Sequence, residues 1–197
     1  MDWAFADNSL PRSQVRARSS TAGIVVSAFF IATARYRRAR VPFLTGGTVG
    51  KTHLATALGH IAIRRRKSVL FSRADQLFRR LKAARLDNSS EAEMRKLART
   101  DLLILDDVAL QAMDPMETAD FYELVVERHR KTSTVITSNR DPSEWLGVMS
   151  DPLLAQSAVD RLVATSYELV IEGQSYRRQQ RPRPADTGAS VVDQSRS

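Results

Sequence analysis

The run Leu102-Leu103-Ile104-Leu105-Asp106-Asp107 constrains this chain more than any other segment. Four successive large aliphatic residues leave no polar face for solvent. The segment therefore fits a strand buried on both sides, not the alternating strand of a half-exposed sheet. Such a strand needs helices above and below it, and crossover helices joining parallel strands supply that cover. The two carboxylates that end the run would emerge at the carboxyl edge of the sheet, where folds of this class bind ligands.

The surrounding pattern agrees. Residues 41–44, 68–71 and 134–137 read as further strands, and residues 52–63, 74–86 and 116–130 as helices. In the first helix Leu54, Ala55, Leu58, Ile61 and Ala62 recur at helical spacing, and in the third Phe121, Leu124 and Val125 share a face. Strands alternating with helices predict an α/β fold with a parallel sheet flanked by helices. Asp141-Pro142 and Asp151-Pro152 read as loop punctuation.

The apolar stretch 22–34 is 13 residues long, short of the roughly 20 a membrane-spanning helix needs. A basic stretch before it and Ala32-Thr33-Ala34 at its end imitate an export signal. The absence of cysteine and the phosphate motif that follows favour instead a buried helix in a cytoplasmic protein with no membrane partner. Three segments result: a basic stretch over 1–42 with one helix, a nucleotide-binding domain over 43–177, and a basic tail over 178–197 expected to be disordered.

Composition removes several chemistries. With no cysteine and three histidines among 197 residues, disulfide scaffolds, thiolate zinc sites, cysteine nucleophiles and histidine-rich metal centres are excluded or disfavoured. The net charge of +8 favours a polyanionic partner. That charge is not in the middle of the chain: residues 1–42 hold seven arginines against two aspartates, residues 177–197 hold five against two, and the segment between balances.

Between the first strand and first helix stands Thr45-Gly46-Gly47-Thr48-Val49-Gly50-Lys51-Thr52, in the strand–loop–helix setting a phosphate-binding loop requires. Glycines let successive backbone N–H groups turn inward around a phosphate, and the helix that follows adds free N–H groups and the positive end of its dipole. Gly46, Gly47, Thr48, Val49, Gly50, Lys51, Thr52 and His53 are the candidate nucleotide contacts, with Lys51 reaching the β- and γ-phosphates and Thr52 directed at Mg²⁺. The loop is irregular: the position that normally holds its first glycine is Thr45.

Asp106 is placed to hold Mg²⁺ through its water shell, and Asp107 to polarise a water for attack on the γ-phosphate. The strand ending Thr137-Ser138-Asn139 would bring Asn139 to the same edge, to orient that water or touch the γ-phosphate. No Asn-Lys-x-Asp guanine-reading motif is present, which argues against a GTPase. Arg161, in Asp160-Arg161-Leu162, is a candidate for stabilising phosphoryl charge, usually in a neighbouring subunit's site.

In this order, Gly50-Lys51-Thr52-His53-Leu54-Ala55, the run 102–107, Thr137-Ser138-Asn139-Arg140, Glu144-Trp145, Asp151-Pro152-Leu153-Leu154-Ala155, Asp160-Arg161-Leu162 and Gly173-Gln174-Ser175-Tyr176-Arg177 resemble the IstB/DnaC-like branch of the AAA+ ATPases. That branch holds the helper ATPases of insertion-sequence transposons and the bacterial helicase loaders. The matching residues run from Phe43 to Arg177, about two thirds of the chain, and favour the transposon helper. The resemblance implies a P-loop NTPase fold of AAA+ type. It also implies ATP and Mg²⁺ as cofactors, with Lys51 and Thr52 in the nucleotide site, Asp106 as the metal-side acid, Asp107 as the water-activating acid, Asn139 as the sensor and Arg161 as the residue acting between subunits. It further implies ATP-dependent self-assembly on double-stranded DNA and delivery of that DNA to a transposase. The stretch before Phe43 does not match the family's usual N-terminal region. A replicative helicase loader, and a non-hydrolysing DNA-binding remnant, stay open as alternatives.

Two basic clusters are candidate DNA contacts: Arg64, Arg65, Arg66 and Lys67 at the end of the first helix, and Arg79, Arg80, Lys82 and Arg85 along the second. Neither is interleaved with aromatic residues, so backbone-phosphate contact without base stacking is the expected mode.

Overall fold

The computed structural model describes residues 14–18, 41–45, 50–164 and 166–172. The helix expected over 22–34, the phosphate-loop residues 46–49 and the tail at 178–197 lie outside the described residues.

Strand β1 (Gln14–Arg18) is followed by β2 (Val41–Thr45), α1 (Lys51–Arg64), β3 (Val69–Arg73), α2 (Ala74–Leu86) and α3 (Ser90–Arg99). Then come β4 (Leu102–Asp106), α4 (Pro115–Arg128), β5 (Ser133–Thr137), a 3₁₀ turn (Pro142–Gly147), α5 (Pro152–Ala164) and β6 (Ser166–Glu172). The strands form one sheet in the order β1-β6-β2-β5-β4-β3, and every pairing is parallel. All carboxyl ends therefore share one edge, which collects Thr45, Arg73, Asp106 and Thr137.

As its composition requires, β4 is buried along its whole length. Its pleat divides the interior in two. Leu102 and Ile104 pack with Leu54, Ala55, Leu58 and Ala62 of α1. Leu103 and Leu105 face the opposite layer, built from α2, α3, α4, the 3₁₀ turn and α5. Gly59 lets α1 approach closely: a Cβ there would stand 3.1 Å from Ile104 Cδ1. In the other layer Phe121 is fully buried, edge-on to Phe78 at 6.3 Å and to Trp145 at 6.1 Å between ring centroids.

Three elements go beyond the sequence expectation. β1 falls in the basic N-terminal stretch and pairs with β6, which was also not expected, and α3 is an additional helix. Two loop signals open helical segments instead: Asp141 and Asp151 accept hydrogen bonds from backbone N–H groups of the turns that Pro142 and Pro152 begin. Aspartate followed by proline at the first helical position is a helix start as well as a loop marker.

Arg128 ties three elements together. Its side chain is buried at the end of α4. It donates to Thr134 Oγ1 at 2.9 Å, to Thr100 O at 2.9 Å, and to the carbonyls of Leu97 and Ser133. Burial pushes its pKa down to about 10, which still leaves it charged at neutral pH, and carbonyl oxygens at the end of α3 replace the lost water.

Candidate nucleotide-binding site

The site is built where β2 hands over to α1. Gly50 caps that helix in the left-handed region, at φ 73°, a conformation glycine adopts without a Cβ penalty. Thr45, at the irregular first position of the loop, remains in the extended strand, paired in register with Val170, so no left-handed turn is asked of it. Lys51 opens α1 and is buried, while Thr52 and His53 are exposed.

The amino terminus of α1 differs from the others. The first turns of α2 and α3 carry Asp75, and Glu91 and Glu93. α4 has a capping box made by Asp114 and Glu117, and Asp151 takes the first N–H groups of α5. α1 alone among these five has neither a side-chain cap nor an acidic residue in its first turn. A helix end without a carboxylate keeps its N–H groups and dipole available to an external anion.

The carboxylate lies next to it instead, across the edge of the sheet. Asp106 is 3% exposed, and the Thr52 hydroxyl stands 3.0 Å from both of its oxygens. Thr137 Oγ1 donates to the same carboxylate from β5. Asp107 follows in the left-handed region at φ 57°, half-buried, with its N–H donating to Thr137 Oγ1 at 3.0 Å. It borders a cavity of about 110 Å³ lined also by Arg73, Phe78, Leu110 and Glu117. Ser138 is buried, with its hydroxyl on Val108 O at 2.8 Å and its N–H on Leu44 O at 3.1 Å; Asn139 follows, exposed at the same edge. This donor set suits a magnesium-bound polyphosphate: a glycine turn into an uncapped helix, a lysine at its first position, and a hydroxyl paired with a buried carboxylate.

Arg161 lies elsewhere. It is in the last turn of α5, which runs back toward the edge where β6 begins, opposite the edge that carries Asp106. Its guanidinium lies 5.6 Å from the centroid of the Tyr122 ring and donates to Ser157 O at 2.8 Å and to the Ser157 hydroxyl.

The basic residues of α2 turn out to be paired with carboxylates. Arg79 bonds Asp75 at 2.8 Å, Arg80 bonds Glu93 at 2.8 Å, Lys82 bonds Asp114 at 3.2 Å, and Arg85 grips Asp120, which is 2% exposed. The Asp120 bond holds the Arg85 pKa above its ordinary value. This helix therefore presents no uncompensated basic strip. At the end of α1, Lys67 pairs with Asp101 at 3.2 Å, and Arg64, Arg65 and Arg66 are exposed as it is.

Sequence reasoning assigns no role to Thr137, although it stands in the Thr137-Ser138-Asn139 motif, nor to Asp120 or Arg128, because an aspartate and an arginine on a helix read as solvated. Among the described residues no helix is long and apolar enough to cross a membrane.

Comparison with known proteins extends the motif evidence at both ends. The family model described as IstB-like ATP binding protein matches residues 27–184. The putative ATP-binding protein of insertion sequence IS232 from Bacillus thuringiensis subsp. berliner is 36% identical over 137 residues, covering 70% of this chain and 55% of that protein. The putative ATP-binding protein Rv3427c of an insertion sequence in Mycobacterium tuberculosis is 37% identical over 135 residues, covering 68% and 54%. The chain thus spans about half the length of these curated relatives. Among solved structures, DnaI superposes with a TM-score of 0.66 at 21% identity, covering 77% of this chain and 85% of that one. The DnaC helicase loader gives 0.64 at 19%, covering 76% and 87%. Likeness at that identity establishes the fold alone, an α/β domain with a parallel sheet flanked by helices. With the model matching most of its length and relatives above 35% identity, this chain belongs to the family of IstB-like ATP binding proteins.

Proposed function

We propose that the chain is the ATPase unit of an insertion-sequence transposition helper. It would bind ATP with Mg²⁺, assemble with further copies on double-stranded DNA, and assist a transposase in the cytoplasm. The observation that carries the reading is the Thr52–Asp106 pair beside a helix amino terminus free of carboxylates. The insertion-sequence setting of the curated relatives supports the partner class.

Magnesium, when bound, offsets the charge of the β- and γ-phosphates. Lys51 and the first N–H groups of α1 would hold the phosphates, joined by the loop residues Gly46, Gly47, Thr48, Val49 and Gly50. Thr52 and Asp106 would exchange their mutual hydrogen bond for contacts to the metal and its waters. Asp107 would take the proton of the attacking water and Asn139 would orient that water. Arg161 is too far round the fold to serve its own subunit's Asp106. Its place at the opposite edge supports a role at the site of a neighbouring copy. Of the DNA candidates, Arg64 and Arg66 are the better supported, being exposed at the end of α1, whereas the basic residues of α2 are held by carboxylates.

The test is equilibrium binding of a fluorescent ATP analogue with Mg²⁺, followed by sedimentation with and without duplex DNA. Lys51→Ala should lose analogue affinity. Arg161→Ala should keep it and lose nucleotide-dependent assembly. Failure of the wild type to bind the analogue would remove the reading.

A further inference from the structure

We infer that Thr137 is a positioning residue that sets the orientation of both aspartates, an inference resting on the ATP-site reading above. Two of its oxygens make three hydrogen bonds with the adjoining strand end. Its hydroxyl donates to Asp106 Oδ1, its Oγ1 accepts from Asp107 N–H at 3.0 Å, and its carbonyl accepts from Val108 N–H at 2.9 Å. The side chain is fully buried, so water does not replace these bonds.

A hydroxyl has one proton and can accept as well as donate. Because Oγ1 accepts from the Asp107 amide, its own proton is directed to the Asp106 carboxylate. Asp106 is then held from two sides, by Thr52 of α1 and by Thr137 of β5. The same residue fixes Asp107. Two consecutive N–H groups, of Asp107 and Val108, are anchored on Thr137 while Asp107 occupies the left-handed region at φ 57°. Outside glycine that conformation persists where surrounding bonds impose it. The aim of the Asp107 carboxylate thus follows from Thr137.

Thr137 is also in register with Leu44 near the end of β2, whose carbonyl accepts from Ser138 N–H, and lies two residues before Asn139. Thr137 therefore stands on the strand that leads to the sensor candidate, between the strand entering the phosphate loop and the strand carrying the acids, and its side chain binds the latter. Residues that orient metal-side ligands without touching the metal typically change metal affinity or activity about 10–100-fold when removed.

The experiment compares wild type, Thr137→Val and Thr137→Ser in the full chain. Valine keeps the shape and loses both side-chain bonds; serine keeps them. The readouts are kcat and KM for ATP, the Mg²⁺ half-saturation of fluorescent ATP-analogue binding, and analogue affinity without Mg²⁺. Thr137→Val should lower kcat by about 10–100-fold and raise the Mg²⁺ half-saturation by about 10-fold, with metal-free affinity within about twofold of wild type. Thr137→Ser should recover most of both losses. If the wild type binds without turnover, the Mg²⁺ half-saturation carries the same test. A folded Thr137→Val with wild-type kcat and Mg²⁺ dependence overturns the inference while leaving the ATP reading intact. So does an equal loss of affinity with and without Mg²⁺ that serine does not restore. A wild type that binds no nucleotide removes both.

Discussion

Replacing His53 with glutamate should separate what the fold wants from what the site wants. His53 is exposed at the third position of α1, where α4 carries Glu117. In α4 that glutamate accepts from the N-cap N–H of Asp114 at 3.1 Å, completing a capping box. A carboxylate at 53 would give α1 the terminus its neighbours have, worth about 0.3–1 kcal/mol from the helix dipole. For a chain of this size that raises Tm by roughly 1–4 °C. The same charge would oppose a bound triphosphate. At about 7 Å and an effective dielectric near 20, two unit charges repel by roughly 2 kcal/mol. Salt at physiological strength brings that to about 1 kcal/mol for each nearby phosphate charge. With more than one such charge in reach, affinity should fall at least about tenfold. Urea or thermal unfolding without nucleotide reads the first effect, and titration of an ATP analogue at fixed Mg²⁺ reads the second. His53→Gln, neutral and able to cap, should lose much less affinity than the glutamate variant. A glutamate variant that is more stable and binds the analogue within twofold of wild type would refute the reasoning.

Other substitutions test the frame around the site. Phe121→Ala removes a fully buried ring that meets Phe78 and Trp145 edge-on, and should cost about 3–5 kcal/mol in chemical denaturation. Gly59→Val would drive a branched side chain into Ile104, 3.1 Å from the first added carbon, and should cost about 1–3 kcal/mol while displacing α1 enough to weaken ATP-analogue binding. Arg128→Met leaves the carbonyls of Leu97, Thr100 and Ser133 without their donor, and relieves the charge that burial disfavours. The lost bonds should win by about 2–4 kcal/mol of stability, with nucleotide affinity unchanged because the cluster is remote from Asp106.

The strands and helices that carry strong patterns were legible in the sequence: β2, β3, β4, β5, α1, α2 and α4 fall within a few residues of expectation. α3 was not, because it buries only Met94 and Leu97 within a largely charged ten-residue stretch. β1 reads Gln-Val-Arg-Ala-Arg, an alternation short and polar enough to pass for a basic leader. That Thr52 and Asp106 meet at one sheet edge was readable because a phosphate site would require those residue types in that order. Thr137 was less so, because a threonine at the end of a strand is ordinary by propensity and acquires its role only when β5 lies beside β4. The pairing of the α2 cluster was not legible for a similar reason: two of the carboxylates that bind it are 32 and 35 residues away.

The central claim is most directly tested by steady-state ATP turnover of wild type, Lys51→Ala and Asp107→Asn, with and without duplex DNA. The wild type should show Mg²⁺-dependent turnover, and Lys51→Ala should lose both binding and turnover. Asp107→Asn should retain analogue binding with turnover lower by about 10²–10⁴-fold. Turnover by Asp107→Asn and Lys51→Ala equal to that of the wild type would contradict that claim, as would a folded wild type that neither binds nor hydrolyses ATP.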